Sequence, residues 1–182
     1  MDDIVSKFPI KTLPQFDGEP TYENINEMMQ ILYANAATLP TTTGGGTHGR
    51  IRLVMKPELY RILSNTPYNI PGPIPLYVPG SSGLARQQIT NEFEDAKRIF
   101  ENHYNMDLAL KALIIDVVDA VYLEEKQDRY TGFLSVTARD LINHLLQRCG
   151  KITAYNLMAN KRKMDEPLDP SVTINIYFKK YR

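Results

Sequence analysis

The sequence is poor in cysteine, has no excess of either charge and contains no long apolar run. Cys149 is the only cysteine among 182 residues, so no internal disulfide can form and a reducing compartment fits best. The 21 basic and 21 acidic side chains give a formal net charge of zero. Proteins that hold nucleic acid mainly through phosphate contacts carry a positive excess. The composition therefore favours a cytoplasmic protein that does not bind RNA or DNA through bulk charge.

The longest apolar stretch argues against a membrane span. It covers residues 112–123 and includes Asp116 and Asp119, whereas a spanning helix needs about 20 apolar residues. The first ten residues, MDDIVSKFPI, begin with two acids and lack the apolar centre of a secretory signal. The hydrophobic fraction of 43% is close to the average for globular domains. We expect a folded protein without a membrane partner.

Apolar residues recur at helical spacing in much of the chain. The run over 22–36 follows Thr21, a suitable N-cap, and should end before Pro40. An amphipathic pattern predicts a helix over about 84–104. Residues 108–123 are apolar almost all round, which predicts a second helix buried at the centre of a bundle.

Capping signals mark two further helix starts. Thr137 is followed by Asp140 at the third helical position, and Gly150 is placed to end that helix. The same arrangement returns at Thr153 and predicts a helix that ends by about Met164.

The segments between these helices are less regular. Alternating apolar residues near 50–55 predict one short extended segment or hairpin. Pro57 suits the first turn of a short helix, and its inward side chains should be Leu59, Ile62 and Leu63. Prolines throughout 65–83 predict a long irregular loop at the surface.

These patterns together predict an all-α fold. We expect a single helical bundle of about six helices over 21–182, preceded by an extended lead-in over 1–20. The tail 171–182 fits either a strand or a helical face. The sequence ends at Arg182 without a stop signal, as a truncated chain would.

The glycine-rich stretch and the histidines are weak candidates for ligand sites. GGGTHG at 44–49 has the glycines of a phosphate-binding loop, but no Lys followed by Ser or Thr comes after it, so a flexible turn is favoured. His48, His103 and His144 lie far apart and none has a second ligand at metal-binding spacing. We interpret them as ordinary surface or helix-face histidines and expect no metal site.

No side chain forms a recognisable catalytic pattern. Asp116 and Asp119 would share one helix face and could form a carboxylate pair, but a solvent edge or a cap of the next turn is favoured. Cys149 follows the negative end of a helix, where a thiolate is not stabilised, and fits a partly buried small apolar residue. The basic runs 161–163 and 179–182 have acids near them and fit solvated faces. We therefore predict no catalytic, cofactor-binding or metal-binding residue, and no enzyme.

Several segments, taken in order, form a more specific pattern. They are PTYENI at 20–25, ANAATLP at 34–40, GGGTHGRIRLVM at 44–55, PLYVPG at 75–80, ALKALIIDVVDAVYLEE at 109–125, YTGFLSVTARDLINHLLQRCGKIT at 130–153 and NKRKMDEPLDPSVTINIYF at 160–178. This ordered set resembles the gag polyprotein of copia-type LTR retrotransposons, in the form found in algae, oomycetes and other protists. Arg50 stands where that family tends to have a second histidine, and Cys149 stands where an aromatic residue is usual.

The resemblance implies the capsid-like part of gag. Such a domain is all-α and self-associates into a particle or oligomer around the RNA of the element. The zinc knuckle that often holds RNA in this family needs three cysteines and a histidine, and Cys149 alone cannot form it. RNA would therefore bind weakly, or through a region absent here.

Three functions remain open at this point. The first is the structural gag or capsid-like protein, whose partner is another copy of itself. The second is a domesticated monomeric adaptor that binds another protein through a hydrophobic groove. The third and weakest is a nucleotide- or metal-dependent enzyme that uses Asp116 and Asp119 or the glycine-rich loop.

Overall fold

The computed structural model describes residues 2–16, 18–78 and 82–150, together with 157–158 and 161–162. The chain divides into two compact units, Met1–Gly150 and Lys151–Arg182, whereas the sequence patterns predict one domain over 21–182. In the second unit the four described residues are helical, and they lie inside the helix predicted after Thr153. Thr153 itself and the tail 171–182 lie outside the described residues.

The first unit is built from helices, which confirms the predicted all-α class. Its five α-helices are α1 (Asp2–Ser6), α2 (Tyr22–Ala37), α3 (Pro57–Leu63), α4 (Gly83–Val117) and α5 (Ala138–Arg148). Short 3-10 helices cover Gly49–Leu53, Ala120–Tyr122 and Glu124–Lys126. Among the described residues there is no sheet, only an isolated antiparallel bridge between Asp128 and Gly132.

The core lies where α2, the second half of α4 and α5 meet. Each helix contributes a stripe at helical spacing, since a helix turns once in about 3.6 residues. The fully buried members include Ile25, Met28 and Leu32 of α2, Met106, Leu110 and Ile114 of α4, and Leu141, Ile142 and Leu145 of α5. Burial of each such side chain stabilises the fold by about 1.5–3 kcal/mol.

The predicted helix starts at Thr21 and Thr137 are confirmed. The hydroxyl of Thr21 accepts a hydrogen bond from the Asn24 backbone N–H at 3.3 Å, and α2 ends before Pro40. At α5, Thr137 accepts from the Asp140 N–H, and the Asp140 carboxylate accepts from the Thr137 N–H at 3.1 Å. This capping box satisfies two amides that the first helical turn leaves without partners.

The largest error in the predicted elements is the break between 84–104 and 108–123. The structure has one 35-residue helix, α4, that runs through this region and ends at Val117. No proline or glycine lies between Leu84 and Gly132 to interrupt it. Only one side of its second half is buried, because Ile115 is exposed, so this half is not enclosed on all sides as predicted.

Two smaller predictions are also wrong. Residues 49–53 form a 3-10 helix instead of the extended segment expected near 50–55, and it buries Ile51, Leu53 and the adjacent Val54. In α3, Leu59, Ile62 and Leu63 are exposed and Tyr60 is the buried residue. A seven-residue helix contains too few repeats for periodicity to identify its buried face.

The lead-in 1–20 is not extended throughout, because Asp2–Ser6 forms α1. The rest of it lies against the core and buries Phe8 and Leu13. The buried side chain of Asn35 holds this segment: its amide donates to the Ile10 carbonyl at 2.7 Å, and its oxygen accepts from the Ile10 N–H at 3.2 Å.

Candidate functional site

A groove of about 300 Å³ opens where the middle of α4 meets the 3-10 helix Gly49–Leu53 and the start of α5. This volume lies at the lower end of the range for ligand pockets in proteins. The groove is lined by Arg52, Leu53, Tyr68, Ile70, Pro71, Phe100, His103, Tyr104, Asp107, Leu134, Ser135, Val136, Thr137 and Arg139.

Hydrogen bonds to α4 fix the walls of the groove. Arg50 donates to the Asn102 carbonyl at 3.1 Å, and Tyr68 shares a hydrogen bond of 2.7 Å with Nδ1 of His103. On the other side, the Ala138 N–H donates to Asp107 at 3.0 Å, which joins the first turn of α5 to α4. These hydrogen bonds fix the positions of Tyr68, His103 and Asp107 in the groove lining.

A buried lysine positions the third wall. The Lys111 ammonium donates to the carbonyl oxygens of Phe133 and Val136, at 2.8 and 2.7 Å, and lies 3.9 Å from the Asp107 carboxylate. Its side chain is almost completely buried. Lys111 therefore ties the loop that carries Leu134 and Ser135 to α4, and it acts as a structural group.

The groove carries more positive than negative charge. Arg52 and Arg139 line it, and Arg50 is buried beside it. In the part of the chain that the structure describes, none of these three guanidinium groups lies within ion-pair distance of a carboxylate. Burial raises the pKa of Asp107, the one acid in the lining. The site therefore favours a group that is apolar and carries negative charge.

The Tyr68–His103 pair is neutral near pH 7. Burial lowers the pKa of His103, and the charge of Arg50 lowers it further. Burial likewise raises the pKa of Tyr68. The two rings stack with centroids 5.9 Å apart. This pair contributes polar surface without charge.

A second feature is an exposed apolar surface along the first half of α4. No residue of α4 before Met106 is fully buried. We call residues 83–101 the arm and residues 67–78, which run beside it, the strap. The ring of Tyr77 packs against Phe93 with centroids 5.2 Å apart, and its hydroxyl bonds to Thr90 at 3.0 Å.

The arm surface is the set of exposed or half-exposed apolar side chains on these two segments, namely Leu76, Tyr77 and Val78 of the strap and Leu84 and Phe93 of the arm. Leu76 is 89% exposed and Leu84 is 84% exposed. Side chains of this size gain about 1.5–3 kcal/mol each when they are buried. The Tyr77–Phe93 contact places Leu76 and Val78 beside the middle of the arm, and exposed apolar side chains that lie together are typical of an interaction surface.

The glycine-rich stretch serves packing. Gly44 and Gly45 have φ values of +109° and +74°, a region that favours glycine. A Cβ at Gly44 would collide with the Pro67 carbonyl, and one at Gly45 would collide with the Tyr60 hydroxyl. These two glycines let the strap and α3 approach the turn closely.

The other predicted candidates lie apart from one another. Asp116 is exposed on α4, and Asp119 is exposed and caps the next turn by accepting from the Val121 N–H, which confirms the favoured interpretation of that pair. His48 is exposed, whereas His144 is buried and its Nε2 donates to the Tyr122 carbonyl at 3.0 Å. Cys149 is partly buried. Across the described ranges, no group of three His, Cys, Asp or Glu side chains could hold a metal ion.

No pattern in the sequence identified the residues that build the groove. Arg52 and Arg139 are 87 positions apart, and Arg139 contacts the Arg52 carbonyl only because the chain folds back, at 3.4 Å. Lys111 gave a partial signal, because a lysine in an apolar helix needs a partner. The partners are backbone carbonyls, which a sequence does not reveal.

Comparisons of this chain with protein-family models, with curated proteins and with solved structures find no match. No helix among the described residues is both long enough and apolar enough to span a membrane.

Proposed function

We propose that this protein is a structural, capsid-like protein of the gag type that associates with further copies of itself in the cytoplasm. The observation that carries the proposal is the arm surface. Three of its apolar side chains lie on the strap and two on the arm, which is a helical stretch about 28 Å long at 1.5 Å per residue. The all-α fold and the resemblance to copia-type gag support the same function.

The charges of the arm favour a second copy as the occupant. Its seven ionisable groups are four acids and three bases, so two identical arms do not repel strongly. A two-fold contact brings the same surface of both copies together, which requires such a balance.

The spacing along the arm also suits a parallel helix pair. Ile89, Phe93 and Ala96, each partly exposed, are separated by steps of four and three residues, as in the seam of a coiled coil. In that register Glu92 of one copy lies beside Lys97 of the other, and the two-fold axis repeats the ion pair.

The proposal assigns the chain no catalytic activity and gives RNA a secondary part. RNA would bind weakly, or through a region outside these 182 residues. The single cysteine supports a reducing compartment.

Sedimentation velocity over a range of protein concentrations tests the proposal. The wild-type protein should be nearly monomeric when dilute and associate when concentrated, and Leu76→Ser with Leu84→Ser should raise the dissociation constant about tenfold or more. Ile62→Ser is the matched control, because Ile62 is 83% exposed but lies on α3. A wild-type protein that stays monomeric at millimolar concentration would remove the proposal.

An exchange of the paired charges gives a second test. Glu92→Lys and Lys97→Glu should each weaken association, because like charges then meet across the pair. The double variant should recover the wild-type dissociation constant. If the double variant is as weak as the singles, the helices do not pair in this register.

The groove favours one alternative function, a monomeric adaptor that binds a different protein. An adaptor would keep its groove occupied by its partner without self-association. A strictly monomeric chain whose partner binding is lost on substitution of Arg139 would support this second candidate.

A further inference from the structure

We propose that the groove of one copy receives the acidic corner of another copy, so that molecules join head to tail. The acidic corner is defined as Asp116, Asp119, Glu124 and Glu125, together with the exposed side chain of Val121 from the same segment. The inference rests on the proposed self-association and adds a second, different contact to the arm surface.

The acidic corner supplies the negative charge that would complement the groove. Residues 112–125 contain four acids and no basic residue, and the exposed Lys126 follows them at the end of the last 3-10 helix. Glu125 pairs with Arg148 at 3.1 Å. The other three carboxylates have no basic group within ion-pair distance among the described residues.

An exposed apolar side chain belongs to the same segment as these acids. Val121 is 49% exposed, and its N–H donates to the Asp119 carboxylate at 3.3 Å. The 3-10 helices that carry Val121 and Glu124 are held in place, because the Tyr122 carbonyl accepts from His144 and Glu125 pairs with Arg148. The corner is therefore preformed, which lowers the entropy lost on binding.

The groove is complementary to the corner in its apolar character and in its charge. Phe100, Tyr104 and Leu134 provide apolar and aromatic lining, and Arg52 and Arg139 stand at its edge. Arginine beside aromatic side chains is typical of protein–protein interfaces. The guanidinium groups of Arg52 and Arg139, which have no carboxylate partner in the described residues, would meet carboxylates of the corner that likewise have no basic partner there.

The two surfaces are separate within the first unit. Asp107 lines the groove, and Asp116 follows nine residues later on α4, about 14 Å further along the helix. α5 runs between the same two surfaces, with Arg139 at the groove and Arg148 at the corner. Different surfaces that meet between copies produce a ring or an open filament instead of a closed pair. Combined with two-fold arm contacts, this gives growth beyond a dimer.

Charge reversal tests the inference in the full chain. The groove variant carries Arg52→Glu and Arg139→Glu, and the corner variant carries Asp116→Lys and Glu124→Lys. We expect each variant to stop at the dimer in sedimentation velocity, with the dissociation constant for further growth raised about tenfold or more. The chain that carries all four substitutions should grow again, because the charges are then complementary with reversed sign. Arg61→Glu with Arg129→Glu controls for the change in net charge and should grow as the wild type does.

A mixing experiment tests the head-to-tail geometry and the folding of the variants. Leu76→Ser and Leu84→Ser are present throughout to disable the arm surface. The groove variant keeps an intact corner, and a Val121→Asp chain keeps an intact groove. The mixture of the two therefore contains one intact groove and one intact corner. The mixture should form a 1:1 complex that does not grow, whereas each component alone stays monomeric. A mixture that stays monomeric, or that grows past two copies, would overturn the inference.

The remaining outcomes separate this inference from the proposed function. If the arm variants weaken association but the groove and corner variants grow normally, the head-to-tail contact is wrong and the proposed function stands. If the groove variant alone loses bound RNA, measured by absorbance at 260 nm, and still assembles, the groove binds RNA and the inference fails. A wild-type chain that never associates removes both.

Discussion

Individual buried polar residues hold the loops of this protein to its helices. Asn35 anchors the backbone at Ile10, His144 anchors Tyr122, and Lys111 anchors two carbonyls of the segment before α5. Each supplies donors that the loop backbone would otherwise lack once it is buried. The irregular segments are therefore fixed by single side chains.

Lys111→Met should destabilise the protein by about 3 kcal/mol. The substitution leaves the carbonyls of Phe133 and Val136 without their donor and Asp107 without a nearby cation. Urea denaturation measures the effect, and Lys126→Met, at an exposed position, is the control. Equal losses in the two variants would show that the Lys111 contacts do not contribute.

His103 should make stability fall in acid. Burial, followed by the charge of Arg50, lowers its pKa in the folded state. Its contribution to stability is therefore present above the ordinary histidine pKa of about 6.5 and is lost as the pH falls through the lowered value. The free energy of unfolding of wild type should decline more steeply below that pH than that of His103→Gln. Parallel curves would contradict the prediction.

At the scale of elements, short-range signals predicted the helix starts at Thr21 and Thr137 but not the continuity of α4 or the buried face of α3. The caps at Thr21 and Thr137 depend on three or four neighbouring residues, so the sequence contains the whole signal. The continuity of α4 depends on what packs against it: its first half faces the strap and its second half faces α2 and α5. The side of α4 that packs against the rest of the protein therefore changes along the helix. In the sequence, this change looks the same as a break between two helices.

The caps at Thr137 and Ser82 should differ in their effect on global stability. Thr137→Ala should cost about 1 kcal/mol, because α5 belongs to the core. Ser82 caps α4 in the same manner, by accepting from the Ala85 N–H at 3.2 Å, but it stands at the outer end of the arm. Ser82→Ala should leave the unfolding midpoint nearly unchanged and accelerate amide exchange near Ala85. Hydrogen exchange with mass spectrometry, beside thermal unfolding, distinguishes the two effects.

At the scale of the whole molecule, zero net charge conceals local excesses of opposite sign. The groove is positive and the acidic corner is negative, although the two cancel in the total. Composition predicts no bulk attraction to RNA, which stays a prediction. It could not predict the groove, whose lining comes from separate parts of the chain between Arg52 and Arg139.

Binding of RNA should be weak and without sequence preference. The basic clusters at 161–163 and 179–182 supply few phosphate contacts, and few contacts give a shallow dependence of affinity on salt. Fluorescence anisotropy with an unstructured RNA, repeated at several salt concentrations, measures both quantities. Submicromolar affinity at physiological salt that survives competitor RNA would contradict this expectation.

The amino-terminal segment is synthesised before α4, so it can complete its contacts with α4 only late in synthesis. Its anchors are Asn35 and Val117, whose carbonyl accepts from the Phe16 N–H at 3.5 Å. About one hundred residues separate Phe16 from Val117, which the ribosome adds in roughly 5–20 s. During that interval Phe8 and Leu13 have no α4 to lie against, so a growing chain stalled before Val117 would expose them to protease or chaperone. Because of the order of synthesis, the amino-terminal segment cannot complete its packing until α4 has been synthesised.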